Sequence, residues 1–347
     1  MKKEAALTAA LTVLCTLSLP GSPAASERLY LTSGTPRTRA LAMGSAYSSL
    51  EDDFSSGLYN PAAFRLNAAR SERRFRLFFN PVGSAAAFSE YATYDLDYRK
   101  DRKLTGKEAS LAAAMLVKGA VFTTSVFDVG FALNEPVIRG DSSAVTDTRF
   151  FTVKEVTREA FHGAFMNLKI APTVSLGLTG LLYQRRIYGR YRYRSGYTFG
   201  VLLDPTDRMK VGFSYYEIPK YHSDARTNLE SIETGTVSGG VSYYPDSWTT
   251  LSMDVRNLNK ESKAASLEIH AGAERIIGNR LALRGGYFRK KGTEHDVVSF
   301  GAGILPIWEK LHKYRNSTRH DLLSYTFVME EGDRNRQWHI MSLFFAY

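Results

Sequence analysis

Cysteine is nearly missing from this 347-residue chain: the single one, Cys15, lies inside an N-terminal apolar stretch. Disulfides are therefore excluded as the source of stability, which must come from backbone pairing and packing. Beyond the N-terminus there is no run of about 18 apolar residues, so helical membrane spans are excluded. Histidine is sparse, with seven copies and no H-E-x-x-H or similar spacing, which removes the usual metallohydrolase signature. Serine, histidine and acidic residues are plentiful enough for a triad to be picked at will, so such a triad carries no information. The reading is of a non-enzyme without cofactor, catalytic residue or metal site. The adjacent Asp52 and Asp53 lack the further oxygen ligands that calcium requires.

The N-terminus has two lysines, an apolar stretch from Ala5 to Leu19, a Pro20-Gly21 break and small residues before Ser26. This is the pattern of a secretory signal over residues 1–25, cut near Ala24 or Ala25. Leu14 precedes Cys15 where a lipid-modified cysteine needs a small residue, so the cysteine leaves with the signal. The formal charge of +10 suits nucleic acid in principle. Export argues against that partner and turns the basic residues toward lipid headgroups and surface polysaccharide.

Tyrosine and phenylalanine number 20 each and glycine 27, a profile of strands with close backbone approaches. From about residue 71 the chain runs in polarity-alternating segments of ten to fourteen residues. In TTLSMDVRNL, Leu251, Met253 and Val255 share one face, opposite Thr250, Ser252, Asp254 and Arg256. SLEIHAGAE likewise sets Leu267, Ile269, Ala271 and Ala273 against Glu268, His270, Gly272 and Glu274. Period two is the strand signature. The segments predict about fourteen strands, the early ones near 71–80, 108–118 and 121–133, and the last over 336–347. Tight links are predicted near 119–120, 171–172, 205–206, 246 and 277–278, and long ones near 81–107, 134–156 and 220–232. One long link, 306–318, falls on the short-turn side, where it suits a short helix. Strands twice the usual length, with outward Leu, Met and Val, favour an all-β antiparallel transmembrane barrel in a bacterial outer membrane over a soluble sandwich.

Residues 26–70 differ. They are rich in small residues, with a predicted short helix near Ala40–Ser49 and an acidic cluster at 51–53. The ordered set Ala42, Met43, Gly44, Ala46, Tyr47, Asp52, Asp53, Asn60, Pro61 and Ala62 resembles the N-terminal segment of FadL-type outer-membrane transporters, a superfamily that includes the PorV and PorQ proteins. The resemblance implies that residues 26–70 form a hatch inside a barrel spanning 71–347, with Gly44, Tyr47, Asp52, Asp53, Asn60, Pro61 and Ala62 as its motif. It also implies passive uptake of a hydrophobic small molecule, or else a scaffold or shuttle role for a secreted protein partner. Two readings of the hatch stand: a space-filling loop, or a gate.

The chain ends in QWHIMSLFFAY. Met341, Leu343, Phe345 and Tyr347 match the terminal pattern read by the barrel-assembly machinery, while Trp338, Ile340 and Phe344 are apolar candidates for the lumen. Those inward residues fit either a wall for the hatch or a hydrophobic path. Finally, QRRIYGRYRYR presents Arg185, Arg186, Arg190, Arg192 and Arg194 among tyrosines at a predicted outer rim. Guanidinium forks suit lipopolysaccharide phosphates; the alternative is an ordinary solvated hairpin.

Overall fold

The structure is a computed structural model. It describes residues 26–30, 37–52, 54–64, 74–80, 116–136, 159–187, 190–219, 232, 234–258, 267–278, 280–290, 294–305, 321–331, 336–343 and 345–346. The predicted signal over 1–25, the links 81–107 and 306–318 and residues Asp53, Phe344 and Tyr347 lie outside them. Among the described residues no helix is long and apolar enough to cross a membrane.

The chain opens with a strand, β1 (Ser26–Tyr30), followed by two short helices, α1 (Arg37–Ala42) and α2 (Phe54–Tyr59), and a 3-10 turn over Pro61–Ala63. Strands fill the remainder. They are β2 (Arg74–Phe79), β3 (Val117–Thr123), β4 (Phe127–Pro136), β5 (Glu159–Ala171), β6 (Val174–Ile187), β7 (Arg190–Thr206) and β8 (Met209–Glu217). The second half holds β9 (Thr236–Asp246), β10 (Thr249–Arg256), β11 (Glu268–Ile277), β12 (Leu281–Lys290), β13 (His295–Ile304), β14 (Leu323–Glu330), β15 (Arg336–Leu343) and β16 (Phe345–Ala346).

From β2 to β15 each strand pairs with its sequence neighbour, and each of these pairings is antiparallel. β16 follows β15 after one residue and pairs with β2, Phe345 opposite Phe79 and Ala346 opposite Phe78. β15 thus bonds to β14 along one edge and, over residues 336–340, to β1 along the other, while the two residues of β16 bond to β2. Leaving β1 aside and taking β15 and β16 as one, the described wall has fourteen strands. In lipid this architecture satisfies backbone donors and acceptors that no water can reach.

The faces split as alternation requires. Leu251 (42 % exposed) and Met253 (51 %) point out from β10, while Thr250, Ser252, Asp254 and Arg256 are buried inward. Phe131, Met166, Leu178, Phe199 and Phe300 extend the outward apolar belt. In water such a surface would be costly at about 25 cal/mol per Å2; against acyl chains it is matched.

Three differences from the sequence reading have physical causes. The second and third strands are shifted: β3 runs through Gly119 and Ala120, and the turn falls at 124–126 instead. Thr124 makes that turn, its hydroxyl accepting from the Val126 and Phe127 amides (3.2 and 2.9 Å) while its amide donates to the Phe127 carbonyl. The helix predicted near 40–49 is α1, earlier and shorter. It ends where Gly44 and Ser45 both take positive φ. Residues 26–30, expected in the hatch, lie in the wall, where β1 runs parallel to β15 from Ser26 opposite Arg336 to Tyr30 opposite Ile340.

Candidate functional site: the hatch and its seat

Residues 38–64 sit within the wall, and nearly every described side chain there is buried. The Asn60-Pro61-Ala62 stretch folds locally first. The Asn60 side-chain oxygen accepts from the Ala62 amide (3.0 Å), and Pro61 opens the 3-10 turn with a φ it already holds. The Asn60 amide nitrogen donates to the Ser48 carbonyl (2.6 Å) and to the Val201 carbonyl on β7 (3.1 Å). One side chain therefore joins two hatch segments to the wall.

Facing strands supply complementary groups. Asn167 on β5 donates to the Ala62 and Phe64 carbonyls, and Thr179 on β6 to the Gly57 carbonyl. Asp254 on β10 accepts from the consecutive Tyr47 and Ser48 amides, both at 2.8 Å. Arg256 donates to the Ser45 carbonyl and lies 5.4 Å from the Tyr59 ring centre. His270 on β11 bonds the Gly44 carbonyl at 2.8 Å, and Thr326 on β14 donates to the Thr38 carbonyl. Hatch backbone that leaves regular structure is thus met by wall side chains, as buried polar groups require.

A chain of charges crosses the same interface. Tyr47 donates to Asp52 (2.5 Å), which accepts from Arg39 of α1 (2.8 Å). Arg39 also forks onto Glu274 of β11, at 3.0 and 2.8 Å. Glu274 is shared with Arg284 of β12 (2.7 Å), and Arg284 forks onto Asp321 at 2.6 and 2.9 Å. Burial opposes the charge on Arg39, but Glu274, Tyr47 and Asp52 outweigh it and lift its pKa well above the ordinary value. Burial lifts Tyr47 as well; Arg39 acts the other way and Asp52 reinforces the rise. Tyr47 therefore remains a donor. Near the same end, Lys210 of β8 pairs with Glu51 of the hatch (2.9 Å) and with Asp204 (3.0 Å). Asp52 is therefore a partner of Arg39 and Tyr47, and among the described residues no group of three His, Cys, Asp or Glu side chains could hold a metal ion.

Glycine forms the third part of the seat. Gly177 pairs with Gly200 across β6 and β7, Gly212 with Gly240 across β8 and β9, and Gly272 with Gly286 across β11 and β12. A Cβ on Gly177 would strike Pro61 and Ala62, one on Gly212 would strike Ser48, and those on Gly272 and Gly286 would strike Met43 and Gly44. At these positions the hatch backbone rests directly on the wall backbone.

The lining changes one pleat further toward the long-loop end. On β5, Asn167 gives way to Phe165 and Phe161; on β6, Thr179 gives way to Leu181 and Tyr183. On β12, β13 and β14 the step is from Gly286 to Phe288, Ser299 to Val297 and Thr326 to Val328. Trp338 and Ile340, both predicted to face inward, stand opposite Val328 and Thr326, are buried, and pack in one cluster with Leu41 of α1. Phe64 of the hatch meets Phe165 at 5.5 Å between ring centres, and Phe161 meets Tyr183 at 5.7 Å. Across β10 and β11 the same level stays polar, with Arg256 and Glu268 buried.

The arginine-rich hairpin lies at the long-loop end. Arg192 and Arg194 share the face of the inward Thr198 and Gly200, while Tyr191, Tyr193 and Tyr197 share the outward face of Phe199. Arg185 stands opposite Arg192. The arginines therefore face the mouth and the tyrosines the surroundings, a division that the interleaved sequence did not assign. Of Arg186 and Arg190 only the backbone is described. In the terminal strand, Met341 and Leu343 lie on the outward face and are half-buried.

Arg39, Asp254, Asn167, Glu274, Arg284 and the paired glycines were absent from the predicted site. The signal available was the inward face of period two, which already grouped Gly272 with Glu274; it gave no indication of what each residue meets.

No protein-family model matches the chain, and no curated protein matches it. Solved structures that resemble it include the toluene transporter TbuX of Ralstonia pickettii, with a TM-score of 0.43 and 10 % identity over 89 % of this chain and 96 % of that one. A Pseudomonas aeruginosa FadL homologue gives 0.41 and 11 %, over 83 % and 87 %. A mutant porin of Rhodopseudomonas blastica gives 0.35 and 9 %, over 67 % and 78 %.

Proposed function

We propose that the protein is a bacterial outer-membrane barrel that takes up hydrophobic compounds passively, with the hatch as its gate. The observation that carries this reading is the change of lining along the barrel axis. Toward the long-loop end, Phe161, Phe165, Leu181, Tyr183, Phe288 and Trp338 face inward; at the hatch the wall turns polar and glycine-rich. These apolar side chains are buried against the hatch, beside Met43, Tyr47, Tyr59 and Phe64 in one apolar cluster and beside Leu41 in another, so an apolar solute meets them where the hatch shifts off the wall. The polar and glycine contacts of the hatch then stand between that apolar contact and the short-turn end. The resemblance of residues 42–62 to the FadL-type segment favours the same reading.

One observation favours a second reading. The hatch is held by carboxylates, guanidiniums and backbone contacts on most of the wall, which suits a permanently filled barrel serving as a scaffold or shuttle for surface or secreted proteins. The two separate in an uptake assay. A bacterial host lacking its own carrier for hydrophobic compounds would express the full chain, and uptake of a radiolabelled alkane or aromatic would be followed beside a small sugar. The transport reading expects faster entry of the apolar compound with sugar entry unchanged. Unchanged entry of both, with a protein partner recovered from the detergent extract, supports the scaffold instead.

A further inference from the structure

Trp338 of β15 packs in one cluster with Leu41 of α1, Phe288, Val297, Val328 and Ile340. None of those five side chains has a polar atom, whereas the indole carries an N–H that donates and cannot accept. The Trp338 side chain is 1 % exposed, and among the described residues its Nε1–H has no hydrogen-bond partner. Val328 stands directly opposite Trp338, and the inward groups on either side of Val328 are both engaged. Toward the long-loop end, the Glu330 carboxylate is held by Lys290 (3.1 Å) and His295 (2.9 Å). Toward the short-turn end, the Thr326 hydroxyl donates to the Thr38 carbonyl (2.7 Å).

A buried indole ordinarily directs its N–H at an acceptor, and a buried donor without one destabilises the fold. Phenylalanine fills this kind of cluster without that penalty, as Phe288 does two strands before β14. A water suits the place poorly. Buried waters make about two to four hydrogen bonds, and the side chains clustered with the indole are apolar. What fits is an apolar body with a single acceptor atom.

The position matters as much as the chemistry. Leu41 belongs to the hatch and Trp338 to the wall, so the indole stands at the boundary that an apolar solute crosses when the hatch shifts. We infer that Trp338 donates its indole N–H to the passing compound, and that the barrel favours neutral hydrophobes bearing one acceptor oxygen, such as ketones, esters and ethers, over bare hydrocarbons. The inference rests on the uptake reading and adds to it a substrate class. A carbonyl gives up water on entering the cluster and regains a partner in the indole, whereas a hydrocarbon leaves the donor as it was. A site whose donor is already out of water discriminates by that difference.

The test uses the full chain in maltoside micelles and two compounds of nearly equal shape, acetophenone and ethylbenzene, which differ by one carbonyl oxygen. Binding is read by titration calorimetry, and isotope-labelled tryptophan lets the indole N–H resonances be followed. Trp338→Phe should weaken acetophenone about fivefold, the worth of one neutral hydrogen bond, and leave ethylbenzene unchanged. Comparing the two proteins compound by compound cancels partition into the micelle. In the unaltered protein acetophenone should move one indole N–H resonance downfield, the one that the variant lacks, and ethylbenzene should not. Equal weakening of both compounds by the variant overturns the inference and leaves the uptake reading standing. So does bound acetophenone that moves none of the three indole resonances, a result that needs no variant to fold. Binding of neither compound overturns the inference and the uptake reading together.

Discussion

Gly272 of β11 and Gly286 of β12 stand directly opposite each other in the ladder, and the hatch backbone at Met43 and Gly44 lies across both. Gly44 is constrained from its own side as well: its φ is +59°, and a Cβ there would meet the backbone of Ala271 and Tyr287. Three glycines distant in sequence thus allow one close crossing, because an extra methyl on any of them occupies space already filled.

Gly286→Ala should therefore destabilise the hatch by about 1–3 kcal/mol, the usual cost of overpacking. Gly285→Ala, one residue away, is the control, since a Cβ there meets nothing within 4 Å. Thermal melts in detergent, scored by band shift on gels, compare them. Equal melting of the two variants would contradict the seat described for Gly286.

Glu274 should matter more than Arg39. Glu274→Gln removes the carboxylate that Arg39 and Arg284 share and leaves each with one acid, Asp52 and Asp321, a loss of about 3 kcal/mol, the low end for a broken buried pair. Arg39→Gln costs less, because Glu274 keeps Arg284 and Asp52 keeps Tyr47. Limited proteolysis of the hatch, followed against denaturant, gives the order; the reverse order would sink the shared-carboxylate account.

Tyr47 predicts the sign of an alkaline effect. Its folded pKa is raised, so below the unfolded value of about 10 the phenol is protonated in both states and its contribution is complete. As pH climbs from there toward the folded pKa, the unfolded chain ionises first and stability falls. Tyr47→Phe should flatten that fall. Urea midpoints measured at about pH 9 and about pH 11 check it, and identical slopes for both proteins would remove Tyr47 from the cause.

Deleting Phe345 through Tyr347 removes the two pairs that, among the described residues, join the last strand to β2. Export should continue while heat-modifiable barrel formation stops. A truncated protein with normal band shift would show that the seam needs neither pair, and that Met341 and Leu343 suffice for assembly.

The strands were readable because alternation is a local property: Leu251 and Met253 declare an outward face without reference to anything distant. The shift between β3 and β4 escaped because Gly119-Ala120 looks like a turn, whereas the hydrogen bonds that make the turn belong to Thr124. The hatch motif was readable through Asn60 and Pro61, whose turn chemistry acts within three residues. The Arg39–Glu274 pair spans 235 positions, and parity placed Glu274 inward without naming its partner. Parallel pairing of residues 26–30 with β15 was also missed, since five residues carry too little pattern to separate a wall strand from a hatch segment.

The central claim is that the hatch controls passage of apolar compounds, and the most direct measurement compares uptake by wild-type protein and Glu274→Gln at equal surface expression. A radiolabelled aromatic hydrocarbon serves as the apolar probe and a small sugar as the polar one. The account predicts that the wild type admits the hydrocarbon above the empty host, and that the variant admits it faster because the hatch is held less firmly. Hydrocarbon entry equal to the empty host for both proteins would contradict it.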